Sequence, residues 1–368
     1  MTIAQFPCRV CGKKAHGNHF GVFSCRACAA FFRRTANSKW VNKKCRNGGG
    51  LDYKTCICKN CRLRNVSAFV GRPEFLLFCD PEIPTYYSSF DPKNFINVNH
   101  LISEATRLLN LGGMSPIFAE NQLKKLTLGF NLVKLNSENV KFYETIGKTE
   151  FMDIIEYYFV KVVKWIMHFD EFQKLDRSTQ MKILQCMWHV WSKLHKCSTT
   201  AAYRKTHQNA GKLQKVIRNT IMDREKAKMD VSWMSDYPQE YVFRYFFSHN
   251  RKDFEIMNAI ENLDPSDVEL TFMFAQLCFE YTGKRYPGEV QKITDHFQQV
   301  LANDLHEYYV TEQRRPRYIL RLNEIMKANN LVQKSIWENR PNRELGRVFN
   351  VLKVAFSHPE MFVDSGFY

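Results

Sequence analysis

Four cysteines near the start of the chain constrain its fold more than any other feature. Cys8 and Cys11 form one Cys-x2-Cys pair, Cys25 and Cys28 form a second, and thirteen residues separate the pairs. Two such pairs suit tetrahedral zinc, and a complete set of four thiolates indicates a structural ion rather than a catalytic one. A redox pair or incidental cysteines are the alternatives, but two pairs at this spacing favour zinc.

The remaining thiols and histidines fit a reduced, metal-binding segment. Eight of the twelve cysteines lie in residues 1–61, and the first ten residues have no apolar stretch of the kind found in secretory signals. A cytosolic or nuclear setting favours metal binding over disulfides. His16 and His19 lie between the two pairs, and four cysteines leave them no ligand position. The dispersed cysteines, predicted to be small buried apolar residues, are Cys79, Cys186, Cys197 and Cys278.

A second group of cysteines follows at a less regular spacing, and it consists of Cys45, Cys56, Cys58 and Cys61. Four thiols can hold a second zinc ion, although a Cys-x-Cys step can bind one metal only through a strained turn. The alternative is a degenerate module in which Cys56 or Cys58 is not a ligand. We therefore expect two structural Zn²⁺ ions, of which the second depends on this set.

Positive charge is concentrated in the same part of the chain. Residues 1–72 contain fifteen Lys and Arg and a single acid, Asp52, so they carry a net charge of +14 out of +16 for the whole chain. Such a basic module indicates a polyanionic partner, with nucleic acid first and an anionic membrane second, and on a zinc scaffold it favours double-stranded DNA. The alternative is that the charges form the solvated face of a protein-binding module.

The segment FSCRACAAFFRRT, residues 23–35, predicts a helix that begins near Cys25. On this helix Arg26, Ala29 or Ala30, and Arg33 share one face. Arginine guanidiniums on such a face suit contact with guanine edges in the major groove. Basic side chains placed better for phosphate contact are Arg34, Lys39, Lys43, Lys44, Arg62 and Arg64.

The rest of the chain reads as a linker and a helical domain. Residues 73–95 carry several prolines and no clear period, which predicts a hinge. From residue 96 to 368 the pattern is helical. In the stretch EFMDIIEYYFVKVVKWIMHF, residues 150–169, apolar residues recur at three- and four-residue steps. Further helices are predicted at 98–111, 178–197, 238–248, 265–281, 288–311 and 316–339. The chain contains no run of eighteen apolar residues, so no membrane span is expected.

The cysteine segment resembles a known family. The run HFGVFSCRACAAFFRRT, preceded by CRVCGKKAHG, resembles the first zinc module of nuclear hormone receptors, in the form typical of their divergent nematode branch. CKNCRL at 58–63 resembles the last cysteine pair of that DNA-binding domain. Gly50 stands where the family has a further cysteine, which leaves Cys56 as the candidate fourth ligand of the second zinc.

The resemblance implies roles for residues of the predicted helix. It implies that Arg26, Ala29 and Arg33 read bases and that His19 contacts a phosphate. The commoner receptors carry Glu and Lys where this chain has Arg26 and Ala29. The difference implies that this chain prefers a DNA half-site other than the one the commoner receptors bind.

The helical domain resembles the same family's ligand-binding domain. The signature across that domain's third to fifth helices is matched in spacing by Phe172, Leu175, Gln180, Leu184 and Trp188. RPRYILRLNEIM at 315–326 resembles the family's tenth helix, which implies a homo- or heterodimer through the helix at 316–328. The resemblance also implies an antiparallel helical sandwich, a small lipophilic ligand, transcriptional coregulators as partners and a nuclear location.

Two kinds of site are expected in this domain. Candidates for lining a ligand pocket are Ile155, Phe159, Val162 and Trp165. An apolar face of this kind is as compatible with an orphan domain whose pocket is filled or absent. Candidates for docking a coregulator are Lys164, Glu360, Met361 and Phe362, with Met167 in the place of the family's usual lysine.

Together these features predict a small zinc-stabilised two-module DNA-binding domain in residues 1–72, followed by an all-α ligand-binding domain in residues 96–368. The expected function is a sequence-specific transcription factor that regulates RNA polymerase II transcription under control of a small lipophilic ligand. The alternative is an orphan zinc protein that binds RNA or serves as a scaffold without a ligand. The chain contains no GxGxxG, P-loop, HExxH or GxSxG motif, and we expect no enzyme activity.

Overall fold

In a computed structural model the chain divides into two units, Met1–Ser89 and Phe90–Tyr368. The structure describes residues 7–8, 11–19, 22–35, 94–112, 118–133, 141–207, 214–218, 220–223, 226–242, 250–348 and 351–366. Predictions that fall outside these residues, or on side chains that are not described, concern His19, Arg33, Lys39, Lys43, Lys44, Cys45, Cys56, Cys58, Cys61, Arg62, Arg64 and Cys79.

The described part of the first unit is a short hairpin followed by a helix. Strand β1, Gly17–His19, pairs antiparallel with β2, Val22–Ser24, and α1 is Arg26–Thr35. An isolated bridge joins Pro7 to Lys14. The hairpin places the second cysteine pair directly at the beginning of α1.

The second unit is mainly helical. Its helices are α2 Asn99–Leu111, α3 Gln122–Val133, α4 Lys148–Ile166, α5 Arg177–Thr206, α6 Asn250–Leu263, α7 Asp267–Arg285, α8 Glu289–Glu307, α9 Ile319–Trp337 and α10 Arg340–Val348. Shorter turns of helix are Asp170–Gln173, Gln239–Val242, the π-helical Tyr308–Glu312 and the 3-10 helix Pro359–Phe362.

Short strands join distant parts of this unit. The strands are β3 Asn94–Ile96, β4 Lys141–Phe142, β5 Thr145–Ile146, β6 Gln214–Ile217, β7 Thr220–Asp223, β8 Lys228–Met229 and β9 Val354–Phe356. β6 and β7 form an antiparallel hairpin, and β4 adds to β7 in parallel. β5 pairs in parallel with β8, and β3 with β9. The last pair ties residues at the predicted end of the linker to the C-terminal segment.

Local signals set the beginnings of the two central helices. Asp176 accepts a hydrogen bond from the Thr179 N–H at the start of α5. At the start of α7, Ser266 Oγ accepts from the Glu269 N–H while the Glu269 carboxylate accepts from the Ser266 N–H, which is a capping box. This start agrees with the beginning of the helix predicted at 265–281.

The core lies between α5, α7 and the helices around them. α5 packs against α4, α6 and α7, while α7 also packs against α3, α8 and α9. α7 and α8 approach closely at Gly283, where a Cβ atom would lie 2.7 Å from Thr294 Oγ1. Fully buried aromatic side chains fill this core and include Trp165, Trp191, Phe159, Phe169, Phe274 and Phe279.

Most of the predicted helices are present, with shifted ends. The α4 face is buried as expected at Ile155, Phe159, Val162 and Ile166, and Cys186, Cys197 and Cys278 are buried free thiols, as predicted. α3, α6 and α10 are helices that the sequence pattern did not reveal. Among the helices that the structure describes, none is long and apolar enough to cross a membrane.

Candidate zinc centre and ligand cavity

The first two cysteine pairs come together in the first unit. The Sγ atoms of Cys8, Cys11, Cys25 and Cys28 all lie within 4.8 Å of one another. The cysteines come from a tight turn and from the beginning of α1. In that turn the Gly12 N–H donates to the Cys8 carbonyl oxygen at 2.8 Å, and Gly12 has a φ of 70°, which favours glycine. The four thiols therefore converge because a turn and a helix start face each other.

This arrangement fits a zinc ion. In a tetrahedral site with Zn–S bonds of about 2.3 Å, neighbouring sulfur atoms lie about 3.8 Å apart, and the Sγ atoms of Cys11 and Cys25 are 3.7 Å apart. Burial raises the pKa of the Cys11 thiol, whereas a bound cation favours the thiolate. The predicted first zinc set is confirmed, and exposed His16 is not part of it.

Helix α1 presents some of its predicted contact residues and buries another. Arg26 and Arg34 are exposed, and residue 33 lies two turns after residue 26 along α1. Ala29 is only 5% exposed. The expectation that Ala29 or Ala30 shares an exposed face with Arg26 is therefore wrong for Ala29, whose methyl group is buried, whereas Ala30 is half-buried.

The signature residues of the second unit hold the beginning of α5 in place. The Gln180 side chain donates to the carbonyl oxygens of Phe172, at 2.9 Å, and Gln173, at 3.4 Å. Phe172 and Leu184 are fully buried. This pattern explains why the spacing is informative: one buried amide closes the turn between the short helix Asp170–Gln173 and α5.

A cavity of about 290 Å³ lies between α4, α5, the β6–β7 hairpin, α6 and the C-terminal segment. Apolar side chains on its wall are Ile146, Phe151, Ile154, Ile155, Tyr158, Trp188, Ile217, Met222, Met229, Met257 and Ile336. Polar and charged side chains on its wall are His189, Ser192, Lys193, Lys196, Lys215, Asp253, Asn339, Asn342, Arg343 and Asp364. The space is at the lower end of the range for small-ligand sites, about 300–1,000 Å³.

Only one of the four predicted pocket residues borders this cavity. Ile155 lies on the wall, whereas Phe159, Val162 and Trp165 are fully buried elsewhere in the core. The Trp165 ring packs 5.9 Å from the Trp191 ring, centroid to centroid. The apolar face of α4 is therefore mostly packing.

Charged groups cluster at one end of the cavity. Lys193 Nζ lies 3.2 Å from Asp253 Oδ1, and Lys215 pairs with the other oxygen of the same carboxylate. Burial alone would raise the pKa of Asp253, but these two lysines lower it far below its ordinary value. Lys196 Nζ lies over the Tyr158 ring, 5.2 Å from its centroid. Burial and the charges of Lys215 and Lys193 lower the pKa of Lys196 to about 8.

A second polar group, centred on Asp364, also borders the cavity. Asp364 accepts hydrogen bonds from the Tyr281 hydroxyl at 2.8 Å, from Arg340 Nη2 at 2.6 Å and from Arg343 Nη1 at 2.9 Å. Burial alone would raise the pKa of Asp364, but its arginine partners, led by Arg340, and Tyr281 lower it. His189 lies nearby, and burial lowers its pKa to about 3, so its ring is neutral at pH 7.

The C-terminal segment does not offer the expected docking surface. Met361 and Phe362 are both 0% exposed, and the Phe362 ring stacks on Phe356. Arg285 Nη2 donates to the Glu360 carbonyl oxygen, and the Gln185 side chain donates to the Glu360 carboxylate. Met361 and Phe362, two of the predicted docking candidates, are therefore not exposed to a partner in this conformation, because both are buried in the core.

The other docking candidates lie on the surface. Lys164 is exposed at the end of α4. Met167, which stands in the place of the family's lysine, is only 5% exposed and therefore buried. Glu360 is partly exposed and accepts from His358 within its own turn if that ring nitrogen carries the proton.

The lysine cluster was missed by sequence reasoning. Lys193 and Lys196 follow His189 by four and seven residues, which is a polar stripe along an otherwise buried helix. Polar residues at helical spacing among buried neighbours are the available signal. The partner Asp253 comes from a distant helix that the pattern did not predict.

Comparisons with known proteins agree with both units. The family model described as "Double treble clef zinc finger, C4 type" matches residues 6–71, and the model described as "Ligand-binding domain of nuclear hormone receptor" matches residues 136–349. Three similar proteins are Caenorhabditis elegans nuclear hormone receptor family members. The chain is 56% identical to nhr-115, with all of both chains covered. It is 40% identical to nhr-125, with 97% of this chain and 96% of the relative covered, and 37% identical to nhr-130, with 100% and 93% covered.

Proposed function

This chain belongs to the nuclear hormone receptor family, whose members are ligand-regulated transcription factors rather than enzymes, and we propose that it reads a short DNA sequence through helix α1. The observation that carries the proposal is the position of Arg26. It is exposed at the first position of a helix whose start is fixed by two of the four clustered cysteines. A zinc-bound helix start holds such a side chain at a defined place.

Geometry and charge support base contact by Arg26 and backbone contact by Arg34. A guanidinium can donate two hydrogen bonds to guanine O6 and N7, which no other base pair offers in the major groove. Arg34 is also exposed but lies eight positions along the helix, about 80° around it, so it suits phosphate contact. Arg33 remains a proposed base contact, while Lys39, Lys43, Lys44, Arg62, Arg64 and His19 remain proposed phosphate contacts.

Ala29 has no place in the base-reading set of this proposal. Its side chain is buried, so it offers no methyl group to a thymine in this conformation. The half-site is then read mainly by arginines, which favours guanine-containing sequences. The alternative, an RNA-binding or scaffolding zinc protein, makes no such demand on base sequence.

The test is selection of the full chain against a pool of random DNA duplexes, with a random RNA pool as competitor. The proposal expects a short guanine-containing motif to be enriched among the duplexes. Affinity for it should fall steeply with salt, because phosphate contacts release counterions. Preferential recovery of RNA, or no enriched sequence, would contradict it.

Dimerisation through the helix predicted at 316–328 is part of the proposal. That helix begins at Ile319 and continues to Trp337. Its first residues, Ile319 and Leu320, are 62% and 76% exposed, although large apolar side chains favour burial. Replacement by Leu320→Asp should shift the full chain from dimer to monomer in sedimentation equilibrium. A matched change of an exposed leucine outside this helix, Leu132→Asp on α3, should not.

Coregulator binding, nuclear location and control of RNA polymerase II transcription are proposed on family membership. Lys164 and the partly exposed Glu360 are the described groups that could hold a peptide between them. Charge reversal of both should weaken binding of an amphipathic helical peptide. A tagged full chain should accumulate in nuclei, and exclusion from nuclei would contradict the proposed location.

A further inference from the structure

We propose that the cavity of the second unit binds an amphipathic anion, an apolar chain that ends in a single carboxylate or phosphate group, with the anionic end at Lys193, Lys196 and Lys215. The inference goes beyond the proposed DNA-reading function, and its starting point is that the cavity of the ligand-binding domain receives a small molecule, as in a ligand-regulated receptor. It adds the chemical class of that molecule and the side chains that hold its polar end.

The first argument is the balance of charge at this end of the cavity. Three lysines border it, and the carboxylate among them is that of Asp253. Lys193 and Lys215 both pair with Asp253. No carboxylate of the described residues lies within ion-pairing distance of Lys196. A structural ion-pair network therefore explains Lys193 and Lys215 but leaves an ammonium group without an anion.

The second argument is that one face of α5 directs its polar side chains towards the cavity. His189, Lys193 and Lys196 lie at i, i+4 and i+7 on α5, so they form one stripe, and all three border the cavity. Lys215 comes from β6 on the hairpin that closes the same space. The basic groups of two separate elements converge on one end of one cavity.

The third argument is the energetic state of Lys196 without a ligand. An ammonium removed from water and placed beside two like charges is destabilised. The drop in the pKa of Lys196 to about 8 reflects this cost. The ring of Tyr158 offers a weak cation–π contact and no hydrogen bond. An anionic ligand would supply the missing partner.

The remaining wall selects the rest of the ligand. Away from the lysines, the lining is mainly the aliphatic, methionine and aromatic side chains of α4, the β6–β7 hairpin, α6 and α9. Asp364 is already neutralised by its arginines. His189 Nε2, a buried ring nitrogen that has no hydrogen-bond partner among the described residues, offers one neutral polar contact. The cavity thus suits an apolar body with its charge at one end.

The experiment titrates the full-length chain with four probes of matched length: tetradecanoate, tetradecyl phosphate, methyl tetradecanoate and tetradecylamine. The proposal expects at least one of the two anions to bind about tenfold or more tightly than the uncharged ester, and the cationic amine to bind no better than the ester. The two anionic probes distinguish a carboxylate site from a phosphate site. Equal binding of anions and ester, or no binding of either anion, would overturn it.

A matched pair of variants assigns the effect to the cluster. Lys196→Met keeps the length of the side chain and removes its charge, and it should weaken anion binding about tenfold while leaving ester binding unchanged. Lys205→Met, at an exposed site on the same helix, should change neither. Unchanged anion binding by Lys196→Met would overturn the assignment. Should this variant fail to fold, the comparison of probes on the unaltered chain still decides the proposal.

The pH dependence gives an independent reading on the unaltered chain. Anion affinity should be highest below pH 8 and fall as Lys196 loses its proton above it, relative to ester affinity. The charged and titratable groups that face Lys196 are Lys193, His195 and Cys197 on α5, Lys215 on β6, Asp253 on α6 and Tyr158 on α4. A flat profile for the ratio from pH 6 to 9 would count against the proposal. Duplex binding is measured separately, so failure here leaves the DNA-reading function untouched.

Discussion

The indole N–H of Trp188 donates a hydrogen bond to the main-chain oxygen of Met361 at 2.8 Å. Trp188 lies on α5 and Met361 lies in the C-terminal 3-10 helix, so this bond joins residues that are 173 positions apart. It places the C-terminal segment in the core beside the cavity, which Trp188 and Asp364 both border. The segment is therefore a structural part of the second unit in this conformation.

Replacing Trp188 by Phe should loosen the C-terminal segment. The change keeps an aromatic ring but removes the donor to Met361, at a cost of about 1 kcal/mol. Hydrogen exchange of the amides in residues 360–366 should become several times faster. The partly exposed Trp337, changed to Phe in the same way, should leave these rates as they are. Unchanged exchange in the Trp188 variant would show that the bond does not hold the segment.

Asp364→Asn should destabilise the second unit by about 3 kcal/mol, because it removes the charge of a buried carboxylate that pairs with the largely buried Arg343. The pKa of Asp364 is lowered in the folded state, so its contribution is present above the unfolded pKa of about 4 and lost as the pH falls below it. Urea unfolding curves of variant and unaltered chain should converge towards pH 2. The control is exposed Asp295→Asn. A constant difference at all pH values would contradict the ionic role.

Lys161→Met should stabilise the chain at pH 7 by about 1–2 kcal/mol. Lys161 is 6% exposed, and burial lowers its pKa to about 8, although its Nζ donates to the Tyr157 hydroxyl at 2.8 Å. Between pH 8 and about 10.4 the unfolded chain holds a proton that the folded chain has lost. The gain should therefore shrink over that window in urea unfolding. A less stable variant at pH 7 would show that the Tyr157 and His195 contacts outweigh the burial cost.

Metal analysis of the purified full chain should give two zinc ions, one for the described cluster and one for the set Cys45, Cys56, Cys58 and Cys61. Chelation should abolish duplex binding, because structural zinc holds the start of α1, and added zinc should restore it. Cys28→Ser should reduce the metal content by one ion. A single zinc in the unaltered chain would mean that the second cysteine module is degenerate.

The first zinc set and the main helices follow from sequence because their signals are local. Two Cys-x2-Cys pairs and the helix start after Cys25 lie within a short segment. The apolar period of α4 likewise identifies its buried face. α10 was missed because its sequence RPNRELGRV has a proline at its second position and few apolar residues. α3 carries Gly129 in its interior, which weakens a helical pattern.

The cavity and the buried C-terminal segment depend on long-range packing that periodicity does not encode. In the sequence, Met361 and Phe362 resemble an exposed docking motif. The contact that holds this segment in the core comes from Trp188, which is far away in sequence. From the sequence alone, Lys196 is expected to be a solvated charge on a helix. In the structure the β6–β7 hairpin and α6 bring Lys215 and Asp253 to the same cavity wall.

Recovery of a preferred sequence by the Arg26→Ala variant tests the central claim most directly. The unaltered chain, Arg26→Ala and Arg34→Ala are each taken through selection from the same random duplex pool, with folding checked by zinc content. We expect Arg34→Ala to enrich the same motif with weaker binding and a smaller salt dependence. Arg26→Ala should lose preference for at least one guanine of that motif, at a cost of about 1–3 kcal/mol for that base pair. If Arg26→Ala enriches an unchanged motif and only binds more weakly, α1 does not read DNA through Arg26.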